Sequence, residues 1–67
     1  MDYRLDPRYA GKAVYLLNAG GYTGVTTKML VESTVRAIAS LLAGGSPRRQ
    51  KTVLELIELA VDDQGAA

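Results

Sequence analysis

The chain contains no cysteine, no histidine, no tryptophan and no phenylalanine. Without cysteine there is neither a disulfide framework nor a thiolate metal site. Without histidine the commonest metal ligand and the commonest general base are both missing. The Ser and Thr hydroxyls have no evident activating base. No catalytic residue, cofactor or metal is therefore expected. Long hydrophobic runs are also lacking: AVYLL is among the longest, far too short to span a bilayer. The first residues, MDYRLDPR, have neither the basic nor the apolar region of a signal peptide, so a cytoplasmic protein with no membrane partner is the expectation. A net charge of +1 is too small to mark a nucleic-acid binder by itself.

What is present suits one small folded domain over residues 1–67. Hydrophobic residues make up 48% of the 67, enough for a core and too many for a disordered chain. A domain this short is marginally stable alone, and with disulfides and metals excluded the remaining support is a second subunit. The expectation is an all-α, small three-helix bundle that forms a homodimer with the third helix in the interface.

The first helix is expected over about 7–19. Asp6-Pro7 reads as an N-cap followed by proline where its missing N–H costs nothing. Tyr9, Ala13 and Leu17, with Ala10, Val14 and Leu16, recur at helical spacing, and Gly20-Gly21 supplies a left-handed stop. Residues 12–17 also admit a strand, on the strength of Val14 and Tyr15, but KAVYLL does not alternate with period two. The second helix is expected to run unbroken over about 26–43. Leu30, Val31, Thr34, Val35, Ala37, Ile38, Leu41 and Leu42 would line its apolar side, and Lys28, Glu32 and Arg36 would form an i, i+4 ladder opposite. Ser46-Pro47 repeats the cap-plus-proline device and opens a third helix over about 47–62, with 63–67 as a tail. Its apolar residues cover more than half the circumference, which predicts packing on two sides, once within the subunit and once across a dimer. Leu56, Ile57, Leu59 and Val61 are the expected dimer contacts.

The charges of the third helix are reversed. Arg48, Arg49 and Lys51 stand at the end that favours anions, and Glu58, Asp62 and Asp63 at the end that favours cations, each at a cost of roughly 0.3–1 kcal/mol. Tolerated surface charge, an antiparallel pairing with a second copy, and an anion bound at the basic end all fit. Tyr15, Met29 and Arg36, on faces read as exposed, join Arg48, Arg49 and Lys51 as partner-binding candidates. The expected activity is regulation or adaptation through a protein partner.

TVRAIASLLAGGSPRRQKTVLELI resembles a helix-turn-helix unit, with Ile38-Ala39-Ser40-Leu41-Leu42 as its first helix and Arg48, Arg49, Gln50, Lys51 and Thr52 at the start of the reader. Its spacing departs from that pattern, because Val53 comes late. GGYTGVTTKMLVESTVRAIASLLAGG is similar to the start of a winged helix, though an unbroken second helix would leave it without its turn. With 12–17 as a strand the chain would resemble a ribbon-helix-helix dimer. Each resemblance implies a dimeric DNA-binding regulator, which is the alternative function. Gly20-Gly21-Tyr22-Thr23-Gly24 lacks the ending of a nucleotide loop and reads as a helix stop. Glu58 and Asp62 share a face but read as solvated surface.

Overall fold

The computed structural model describes the backbone of residues 3–65 and the side chains of residues 3–62. Among these residues the fold is compact, with four helices and no strand: α1 (Pro7–Ala19), α2 (Thr27–Glu32), α3 (Val35–Ala43) and α4 (Pro47–Gly65). Residues 12–17 are helical, with Ala13 and Leu17 buried one turn apart, which closes the strand alternative.

Each helix begins at a hydroxyl or carboxylate cap. Asp6 Oδ1 accepts the Arg8 amide at 2.9 Å, and Pro7 takes the first helical position. Thr26 Oγ1 accepts from Met29, Thr34 Oγ1 from Ala37 and Ser46 Oγ from Arg49, all at 3.2 Å. Such caps contribute about 0.5–2 kcal/mol each. α1 ends in a Schellman turn: Tyr22 N–H donates to the Leu17 carbonyl at 2.8 Å and Gly21 N–H to that of Asn18 at 3.0 Å. Gly21 holds the positive φ this turn requires, at 96°.

The continuous helix expected over 26–43 is two helices. Ser33 (φ −116°, ψ 155°) and Thr34 (φ −69°, ψ 151°) are extended and separate α2 from α3. The Lys28–Glu32–Arg36 ladder therefore does not exist, since Glu32 and Arg36 lie on different helices. The break is sealed from a distance. Leu5 N–H donates to the Leu30 carbonyl at 3.1 Å, and Val35 N–H donates to the Tyr3 carbonyl at 2.8 Å. Residues 3–5 thus form a strap that satisfies one backbone group on each side of the joint, with Leu5 buried beneath it.

α4 packs against both α1 and α3, and α1 also packs on α2; among the described residues α1 and α3 do not meet. The core centres on Leu17, Leu30, Val35, Ile38, Val53 and Ile57, and no described polar side chain is buried. The breadth of the apolar face on α4 has an internal explanation. With a helix on each flank, Val53, Ile57 and Ala60 are buried, while Leu54, Leu56 and Val61 are half-buried against the core. Both flanks of this helix are thus covered within one chain, and not one within the subunit and one across a dimer as its sequence predicts. α4 also runs past Asp62 to Gly65, because no proline or glycine stops it earlier; residues 66–67 of the expected tail lie outside the described residues.

Candidate interaction surface

The reversed charges of α4 meet the ends of its neighbours. Arg49 lines a surface cleft of about 350 Å³ with Gly20, Gly21, Tyr22, Thr23 and Leu42, so it stands where α1 and α3 finish. Neither α1 nor α3 carries a basic residue in its last turn. At the other end Glu58 and Asp62 act on Tyr3, whose carbonyl holds the first amide of α3. Burial, followed by the charges of Glu58 and Asp62, pushes the Tyr3 phenol above its ordinary pKa. α3 has no acidic residue in its first turn. Arg49 thus stands near the C-terminal ends of α1 and α3, and Glu58 and Asp62 near the start of α3. Charges unfavourable to the dipole of α4 are favourable to those neighbouring ends, by roughly 0.3–1 kcal/mol each before screening.

The glycine turn beside Arg49 is not a phosphate cradle. Its Gly20, Gly21 and Tyr22 amides donate to the carbonyls of Leu16, Asn18 and Leu17. Among the described residues no group of three acidic side chains is placed to hold a metal ion, and no helix is long and apolar enough to cross a membrane.

The remaining candidates fall on different faces. Tyr15 is 66% exposed on the outer side of α1, and the Lys12 ammonium lies 5.9 Å from its ring centroid. Arg36 is exposed on α3, and Arg48 and Lys51 are exposed on α4. Met29 is not an exposed anchor: beside buried Leu30 it is half-buried against the core, and the exposed side of α2 is carried by Thr27, Lys28 and Glu32. Ile57 offers nothing to a second chain, since the subunit's own core buries it completely. Leu56 and Val61 keep partial exposure, and Leu59 is 53% exposed.

Leu59 belongs to a wider flank. A Cβ at Gly20 would stand 3.0 Å from Leu56 Cδ1, so the side of α4 bearing Leu56 adjoins the end of α1. Leu59 follows one turn after Leu56, and half-buried Leu16 precedes Gly20 by one turn on α1. Leu41, 67% exposed on α3, was expected inside. The adjacency of Leu41 and Leu42 is the signal for it, because a nine-residue helix cannot turn both inward once Val35, Ile38 and Ala39 fix its buried face.

The helix-turn-helix resemblances fare unevenly. The break at Ser33–Thr34 supplies the turn that the winged-helix register lacks in sequence. However, α1 and α3 each pack on α4 and not on one another. The exposed face of α3 offers Arg36, Ala37, Ser40 and Leu41, a single cation. On α4, exposed Arg49 lines the cleft, and exposed Glu55, Glu58 and Asp62 follow the basic turn. Comparison with protein-family models, curated proteins and solved structures gives no match.

Proposed function

We propose that this chain is a small non-enzymatic regulatory or adaptor protein that works by protein–protein contact, as a homodimer joined through the outward flank of α4. The carrying observation is Leu59. Every other large aliphatic side chain of α4 within the described residues is buried or half-buried, whereas Leu59 stands 53% exposed one turn after half-buried Leu56. Arg48 and Lys51 border the same helix face and give it a polar rim, the usual surround of an apolar contact. The absence of His and Cys supports a binding role over a catalytic one.

Sedimentation equilibrium over a wide concentration range tests this reading. The wild type should shift from monomer to dimer, and Leu59→Glu should remain monomeric with unchanged helical circular dichroism. A wild type that stays monomeric throughout would sink the homodimer.

A second reading, DNA binding by α2 and α3, draws on the extended Ser33–Thr34 joint between them. It predicts non-specific duplex affinity of roughly 10⁻⁴–10⁻⁶ M at physiological salt, tightening as salt falls. Fluorescence anisotropy would measure this, and Arg36→Ala should weaken it. Absence of binding at low salt would end this reading.

A further inference from the structure

We infer that the second copy lies antiparallel along α4 in one register, with Arg48 of each chain opposite Asp62 of the other. This register rests on the homodimer proposed above and assigns its geometry. Arg48, Thr52, Glu55, Leu59 and Asp62 are all exposed, and their spacing alternates four and three residues. That alternation places them in one stripe along a helix, the spacing by which a second helix follows the first.

The stripe is basic at its start and acidic from its middle onward. In a parallel pairing Arg48 would face Arg48, Glu55 would face Glu55, and Asp62 would face Asp62. Every charged layer would then repel. The antiparallel pairing about a two-fold axis brings Arg48 to Asp62 at both ends, and beside the stripe it brings Lys51 to Glu58. Leu59 then falls alongside Thr52 of the second copy, which covers its exposed apolar surface. A single layer still repels: Glu55 lies at the axis and meets its own copy. The dimer is therefore self-complementary, as a two-fold contact requires, and its own axial charge weakens it.

Arg49 takes no part, since it lies in the cleft at the end of α1. Along one helix Arg48 and Asp62 are roughly 21 Å apart at 1.5 Å per residue. They cannot pair within a chain, so any rescue between them must cross from one copy to the other.

The test is a charge-swap cycle read by sedimentation velocity. Arg48→Glu and Asp62→Arg should each weaken dimerisation about fivefold or more, because the symmetry repeats each broken pair. The double variant should return most of the wild-type affinity. Glu55→Gln, the mildest change, should tighten the dimer. All three sites are exposed, and circular dichroism would confirm that the helices persist. A wild-type dimer that ignores the swaps, or one that Glu55→Gln weakens, overturns this register and leaves the homodimer standing. A wild type that is monomeric at every concentration overturns both.

Discussion

The amide of Val35 donates to the carbonyl of Tyr3 at 2.8 Å, so the first residue of α3 is capped by a segment far away in the chain. The carboxylates of Glu58 and Asp62 act on that same Tyr3. The strap, the α2–α3 joint and the acidic end of α4 consequently form one structural unit.

Leu5 anchors that unit. It is 3% exposed, and Leu5→Ala should cost about 2–5 kcal/mol, the range for emptying a buried leucine site. Urea unfolding measures the loss. Hydrogen exchange should show the Val35 amide losing protection more than the amides within α1.

Alkali should loosen the strap. The raised pKa of Tyr3 means that the folded state holds the phenolic proton at pH values where the unfolded chain has released it. The stabilisation is fully present below the unfolded-state pKa and is lost as pH rises through the folded-state value. Tyr3→Phe should flatten the alkaline fall in stability, and a denaturation series across that range would show it. An unchanged slope would detach Tyr3 from the acidic end of α4.

Ile57 and Leu59 should behave oppositely on truncation. Ile57→Ala should destabilise the chain by about 2–5 kcal/mol, because the site is fully buried. Leu59→Ala should stay within about 0.5 kcal/mol in the monomer. Thermal unfolding at low concentration makes the comparison.

Arg49→Glu should destabilise the fold more than Arg48→Glu, by roughly 0.3–1 kcal/mol. Arg49 lines the cleft at the ends of α1 and α3, whereas Arg48, also exposed, does not. The difference should shrink in high salt, which equilibrium unfolding with and without salt would show.

Much of this architecture is legible in the sequence because its signals are local. Asp6-Pro7 and Ser46-Pro47 mark two helix starts, Thr26 a third, and Gly20-Gly21 and Gly44-Gly45 mark two stops. The break at Ser33–Thr34 is not legible in the same way. Leu30, Val35 and Ile38 keep a helical period across it, and neither glycine nor proline intervenes. Two cap-forming residues in succession are the local hint, but the joint is sealed by Tyr3 and Leu5, which no short window contains. The reversed charges of α4 are evident in the sequence, yet their internal partners are not, because the dipoles they serve belong to α1 and α3. Met29 belongs to α2, whose burial is no longer tied to the period of α3, whereas exposed Leu41 follows from two adjacent leucines on the short α3.

The strap also sets an order of events in folding. α3 and α4 are joined by Gly44–Ser46, so their contact closes a short loop and forms early. The bonds from residues 3 and 5 to residues 35 and 30 close far longer loops, whose entropy must be overcome before they contribute. Substitutions in the strap should therefore accelerate unfolding while leaving the folding rate nearly unchanged. The joint between α2 and α3, sealed last, should be the first to open.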